Sequence, residues 1–192
     1  MKIYTKTGDK GETGFIGGRI AKSSPLMECL GTLDELNSMF GVLRNQKVGA
    51  KNHKKLRAIQ SAILHIGGCI SAIATKPNQA LLKELESLVQ KLEVDIDTMW
   101  AKQPELKGFI VPGGTGEGAQ FHLARSLCRR AERSLVTWRN SKELKTLKKD
   151  LDYFESLSIP LRLLNRLSDW LFTQARALDG NNEQLWDKTL DF

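Results

Sequence analysis

The residues best suited to chemistry stand in one run, His122-Leu123-Ala124-Arg125-Ser126-Leu127-Cys128-Arg129-Arg130-Ala131-Glu132-Arg133. Arg125, Arg129, Glu132 and Arg133 are spaced to share one face of a helix. Ala124, Leu127, Cys128, Ala131 and Leu135 supply an adjoining apolar stripe. A helix of this kind buries one side and holds a row of guanidinium groups beside it. Guanidinium keeps its charge and meets phosphate oxygens in pairs, so polyphosphate is the ligand chemistry this face suits. A solvated face with charges paired one turn apart is the competing reading, and the run taken alone favours it. Single-stranded nucleic acid is a weaker candidate, because no aromatic residues interleave the arginines.

Two glycine-bearing segments have related chemistry. Thr5-Lys6-Thr7-Gly8-Asp9-Lys10-Gly11-Glu12-Thr13-Gly14 combines free backbone amides with Lys6 and Lys10, and Arg19 and Lys22 follow. Such a loop can cradle phosphates or can be a solvated tail. It is not a Walker A loop, since no G-x-x-x-x-G-K-[ST] match occurs in the chain. Phe109-Ile110-Val111-Pro112-Gly113-Gly114-Thr115-Gly116 leads into the arginine-bearing helix. It reads either as an anion-receiving helix N-terminus or as an entry loop capped by Thr115. Polar residues also break two apolar segments: Asp34, Glu35, Asn37 and Ser38 in one, and Asn165, Ser168 and Asp169 in another, where Phe172 shares their face. They require partners on other helices, another subunit or a ligand. His65 and His122 sit in apolar surroundings expected of core or interface histidines, and His53 is expected at the surface.

Helices must position these groups. Apolar residues recur at three- and four-residue spacing over 25–46, from about Asn52 to Ala74, from about Gln79 to Ala101, from Gly116 to Trp138, and from about Pro160 to Leu178. Ser24-Pro25 is a capped start, and Gly180 follows the last segment. Residues 1–23 are read as a loop or arm. The lysine-rich stretch from Ser141 to Leu157 is left open between a short surface helix and a mobile connection. No strand-like alternation persists. The expectation is an all-α, five-helix antiparallel bundle in a single domain, 1–192, with an irregular N-terminal loop at 1–23, a bundle at 24–180 and a tail at 181–192.

The length of 192 residues suits one core, and a net charge of +7 favours anionic partners. Cys29, Cys69 and Cys128 are scattered and lie in apolar patterns, so neither a metal site nor a disulfide framework is expected. With no signal-peptide core and no span long enough for a bilayer, the chain is read as cytoplasmic, without membrane association.

Taken together and in order, the blocks Ile3 to Gly14, Gly31-Thr32-Leu33-Asp34-Glu35-Leu36-Asn37-Ser38, Phe109 to Thr115, His122 to Arg133, and Leu164-Asn165-Arg166-Leu167-Ser168-Asp169 resemble the PduO-type corrinoid adenosyltransferases. The resemblance implies transfer of the 5′-deoxyadenosyl group of ATP to the cobalt of cob(I)alamin, in a homotrimer with active sites between subunits. It implies ATP, Mg²⁺ and a corrinoid as ligands. Thr5, Lys6, Thr7 and Gly8, with Lys22 nearby, would fold over ATP. Arg129 and Glu132 would bind the nucleotide and its metal-linked phosphates, and Asn165 would join them. Arg125 would pair with Asp34 across the interface, and Phe109 would crowd the lower corrin face and displace its axial base. A reductase or an adenosylcobalamin-dependent enzyme is a possible partner; nucleic acid is not expected to be one. The alternatives are a non-catalytic ATP- or corrinoid-binding regulator and a basic bundle that binds nucleic acid. Two features depart from the family pattern: a long connection from Asn140 to Ile159, and Phe121 in place of a smaller aliphatic residue.

Overall fold

The computed structural model describes residues 3, 4, 6–15, 18–147 and 150–187, with backbone alone at 48–51 and 74. Thr5, one of the expected ATP contacts, lies outside the described residues.

Five long helices form the bundle: α1 (Pro25–Arg44), α2 (Lys47–Ser71), α3 (Gln79–Trp100), α4 (Gly116–Asn140) and, after two short helices α5 (Lys142–Leu147) and α6 (Leu151–Ser156), α7 (Ser158–Asp179). Local chemistry sets their starts. The Ser24 hydroxyl accepts from the Met27 amide at 3.2 Å, with Pro25 at the first helical position. Asn78 does the same for Leu81, and Thr115 for Gly118. Helix α2 begins at Lys47, ahead of the expected Asn52. Lys47 to Ala50 lack apolar periodicity, but the turn at Asn45-Gln46 is so tight that the chain re-enters a helix at once.

α1 packs on α2 and α4, and α7 packs on α4 and α3. Leu26, Leu33, Leu36, Phe40 and Leu43 of α1 meet Phe121, Ala124, Cys128, Ala131 and Leu135 of α4 and Leu164, Trp170 and Leu171 of α7 in one core. Each large apolar side chain buried there contributes about 1.5–3 kcal/mol. Phe121 is fully buried, its ring 6.2 Å from that of Trp170. The larger side chain at this position therefore fills core between α4 and α7 and does not alter the polar face. Ion pairs Arg162–Glu86 and Arg166–Glu93 lace α7 to α3.

Among the described residues, two short helices occupy the connection after α4. Leu144 and Tyr153 are buried, and the Tyr153 hydroxyl donates to the Ile70 carbonyl at 2.6 Å. The N-terminal arm also differs from the irregular loop expected. It carries a two-stranded antiparallel hairpin, β1 (Glu12–Phe15) and β2 (Gly18–Ala21), in which Thr13 faces Ile20 and Glu12 faces Ala21. Phe15 and Ile20 pack against the bundle core. Strands this short give alternation too brief to recognise.

Candidate functional site

The site is built on the seam between α4 and α7. Residues Arg125, Arg129 and Glu132 come from α4; Asn165, Asp169 and Phe172 come from α7. The Asn165 amide donates to the Glu132 carboxylate at 3.2 Å, so two expected ligand-binding residues meet across the seam. Two turns away, the Arg125 guanidinium lies 5.1 Å from the centre of the Phe172 ring. Burial and the neighbouring charge of Arg129 hold the Arg125 pKa below the usual arginine range, opposed by Asp169. Two adjacent cations on a partly buried face disfavour each other and gain from an incoming anion. Arg129 is exposed and reachable.

The arginine run divides by role. Arg130 forms an ion pair with Glu35 of α1, which makes it a tie between helices. Asp34, beside Glu35, is exposed, and among the described residues no salt bridge joins it to Arg125 within the chain.

A second group of expected residues gathers on the arm. Arg19 donates to the Thr7 carbonyl at 2.7 Å and pairs with Glu12 at 3.3 Å. The Lys22 amide donates to the Gly11 carbonyl at 2.8 Å, and a Cβ placed on Gly8 would stand 3.1 Å from the Lys22 Nζ. Thr7 and Gly8 thus lie in one turn of the arm, with the Lys22 ammonium beside Gly8. Lys6 has φ of 60°, unusual for a residue with a side chain, and its ammonium lies 5.9 Å from the Tyr4 ring centre.

Phe109 stands apart from both groups. It is 79% exposed, far more than a ring of its size in a core. Its neighbour is Trp186, edge-on at 6.3 Å. The chain after α7 returns to pair with this segment: the Trp186 amide donates to the Phe109 carbonyl at 2.7 Å, and the Val111 amide to the Gln184 carbonyl at 2.8 Å. Residues 181–192 were expected to be a simple tail; 184–186 are instead the partner of the Phe109 segment. Beside the seam, an open cavity of about 590 Å³ lies between α3 and α7, with Trp100, Arg166, Asp169 and Phe172 in its wall.

Sequence reasoning placed Phe172 on the polar face but gave it no partner, and it gave no role to Trp186 or Asp179. Asp179 is almost completely buried. Its carboxylate accepts from the Thr115 amide at 2.8 Å and the Thr115 hydroxyl at 2.9 Å. The available signal was the pair of small residues, Gly114 and Gly118, on either side of the α4 cap. His122 lies 3.6 Å from the same carboxylate and edge-on to Phe172 at 6.1 Å. Burial pulls its pKa below the usual imidazole value, against the pull of Asp179. His65 is exposed on α2 and His53 is exposed near Arg44. The three cysteines are free; burial pushes the Cys29 thiol up to about 12 and raises those of Cys69 and Cys128, so none is a ready thiolate.

Fold and site together define a five-helix bundle with a short N-terminal hairpin, a seam between α4 and α7 that gathers Arg125, Arg129, Glu132 and Asn165, and an exposed aromatic pair, Phe109 and Trp186, apart from it. The sequence matches the cobalamin adenosyltransferase family over residues 3–178. It is 39% identical over 186 residues to a corrinoid adenosyltransferase of Bacillus subtilis (strain 168), covering 95% of this chain and 89% of that protein. It is 34% identical over 197 residues to the Homo sapiens corrinoid adenosyltransferase, covering 97% and 74%. The structure superimposes on a variant PduO-type ATP:corrinoid adenosyltransferase from Lactobacillus reuteri complexed with cobalamin and ATP, with a TM-score of 0.76, 30% identity and 99% of each chain covered. The chain belongs to the cobalamin adenosyltransferase family.

Proposed function

We propose that the α4–α7 seam, closed by the N-terminal arm of a neighbouring subunit, transfers the 5′-deoxyadenosyl group of ATP to the cobalt of cob(I)alamin, forming adenosylcobalamin and releasing triphosphate. The observation that carries this reading is the Asn165–Glu132 bond beside the cations Arg125 and Arg129. It sets a fixed polar pair beside two arginines on one rigid face. In the reaction the cobalt(I) electron pair forms the bond to C5′, the C5′–O bond breaks, and its electrons leave with triphosphate. The reagents carry that chemistry. The protein must align the two centres and stabilise negative charge on the leaving group.

Arg129 meets the triphosphate as charge develops. Lys6, Thr7, Gly8 and Lys22, with Thr5, cover the phosphates from the arm. Mg²⁺ enters with ATP. Such an ion takes one or two carboxylates plus substrate phosphates, and half-buried Glu132, with one oxygen held by Asn165, suits that role. Phe109 is offered to solvent on a hydrogen-bonded segment, in a position to cover the lower corrin face and exclude its axial base.

The assembly is a homotrimer with Asp34 of one subunit facing Arg125 of the next. Asp34 is exposed, Arg125 is half-buried against an aromatic ring, and α4 also exposes Leu123 and Val136, at 53% and 42%. These are surfaces that association would cover. Among the described residues no helix is long and apolar enough to cross a membrane. Free thiols at all three cysteines suit the cytoplasm.

The test is to supply ATP, Mg²⁺ and chemically reduced cobalamin, then follow the visible spectrum for a cobalt–carbon bond and the solution for triphosphate. Both products are expected in equal amounts. Binding of both ligands without either product would leave only a regulatory role.

A further inference from the structure

We propose that Asp179 is a positioning residue for Phe109, acting through the backbone that carries the ring. This rests on the reading of Phe109 given above.

The ring has little of its own to hold it. It is 79% exposed and touches Trp186 at one edge. Its place is therefore set by main chain, and that main chain is fixed at two points. At the near end, the 109–111 segment pairs with 184–186. At the far end, the Thr115 amide and hydroxyl both donate to Asp179 Oδ1, at 2.8 and 2.9 Å. Residues 109–115 and 179–186 thus form a closed ring of chain, with Asp179 as the joint opposite Phe109.

The space around the joint is shaped for a carboxylate. A Cβ on Gly118 would lie 1.9 Å from Asp179 Oδ1, and one on Gly114, where φ is +80°, would lie 2.4 Å from the carboxyl carbon. Two residues without side chains are therefore required for the acid to reach the start of α4. The return of the chain is braced as well: Arg176 donates to Glu183 at 2.6 and 3.2 Å and to the Pro104 carbonyl at 3.0 Å. Both limbs of the ring are anchored, and both anchors meet at the last turn of α7.

A plain helix cap would give stability only. Positioning predicts something more selective. Loss of the joint should impair displacement of the axial base from cobalt(II), which needs the ring in place, more than alkylation of cobalt(I) already formed.

The experiment uses the full-length protein with ATP and cob(II)alamin. The nitrogen superhyperfine splitting in its electron paramagnetic resonance spectrum reports base-bound cobalt(II). Turnover is measured from cobalt(II) plus a chemical reductant and, separately, from preformed cobalt(I). The variants are Asp179→Ala, the milder Thr115→Ala, Phe109→Ala, and Asn78→Ala as a cap removed elsewhere, on α3.

The expected result is persistence of the base-bound splitting in Asp179→Ala, with a fall of about tenfold in the ratio of cobalt(II)-start to cobalt(I)-start turnover. Thr115→Ala should move both readouts the same way by less, and Asn78→Ala should move neither. Should Asp179→Ala fail to fold, Thr115→Ala decides. Equal losses from both oxidation states, or wild-type spectra in both variants while Phe109→Ala is altered, would overturn the positioning role alone. An unaltered spectrum and ratio in Phe109→Ala would overturn the reading of Phe109 and this inference with it.

Discussion

Arg125 and Arg129 stand on a 25-residue helix whose apolar flank is buried at Ala124, Cys128, Ala131 and Leu135. Lys6 and Lys22 stand on an exposed arm with two four-residue strands. The first pair cannot move far without disturbing the core, and Asn165 fixes its carboxylate neighbour. The second pair is held by a few main-chain bonds and by Phe15 and Ile20. Charge on a rigid support is oriented before substrate arrives, and only such charge stabilises a transition state without reorganisation. Charge on a lightly anchored arm is ordered by the ligand, so part of its attraction offsets that ordering. The helix cations should therefore govern turnover, and the arm cations should govern affinity.

The sharpest way to break this contrast is Arg129→Ala. Turnover should fall about 10²- to 10³-fold, with a smaller change in the KM for ATP. Steady-state kinetics with saturating cobalt(I) corrinoid will show it, and wild-type turnover would remove Arg129 from the reaction. Asp34→Asn tests whether the helix face is completed from outside the chain. Association should weaken by about tenfold to a hundredfold, read by sedimentation across protein concentration, with activity falling in step. A fully active trimer at every concentration would eliminate the Asp34–Arg125 pair. Lys6→Ala should raise the KM for ATP about tenfold, with turnover within a fewfold of wild type. If its turnover fell as far as that of Arg129→Ala, the distinction between the two regions would vanish.

The smallest effect concerns pH. His122 is surrounded by Asp179 of α7, Arg125 of its own helix and Glu183, and burial lowers its pKa. The unfolded chain then takes up a proton more readily than the folded one. Stability is complete above the ordinary imidazole pKa of about 6.5 and declines as the pH falls through that value toward the lower folded one. Thermal denaturation over this range should show the slope in wild type and lose that component in His122→Asn. An identical slope in the variant would assign the effect to other groups.

Much of the rigid region was legible in the sequence because it obeys a period. Leu30, Leu33, Leu36 and Phe40 mark α1, and the spacing of Arg125, Arg129 and Glu132 marks the polar edge of α4. Thr115 and Ser24 were readable as caps because their hydroxyls act locally. Contacts that are distant in sequence were not readable. Arg130, off the face shared by Arg125 and Arg129, carried no sign of a partner, yet Glu35 claims it. Asp179 looked like an ordinary helix end before Gly180; its partner Thr115 is on another helix. Trp186 sat in a stretch without periodicity and was paired only by the return of the chain to Phe109. In the arm, Thr13, Phe15 and Ile20 alternate too briefly to announce a hairpin. The sites of Asp34 and Arg125 were suggested by the family resemblance, since neither one's spacing points to the other.

The clasp between Thr115 and Asp179 has a practical corollary for building on this scaffold. It fastens α4 and α7 at one extremity, while α5 and α6 bridge them at the other, roughly 37 Å away along α4. Sequence added at the bridging extremity does not set the alignment of the two helices, so foreign cargo should be tolerated there. Leu147 and Leu151 already face water, at 44% and 75% exposure, whereas Leu144 and Tyr153 keep the flanking turns seated. A fluorophore attached at position 151 would ride at the edge of the molecule, away from Arg125 and Arg129.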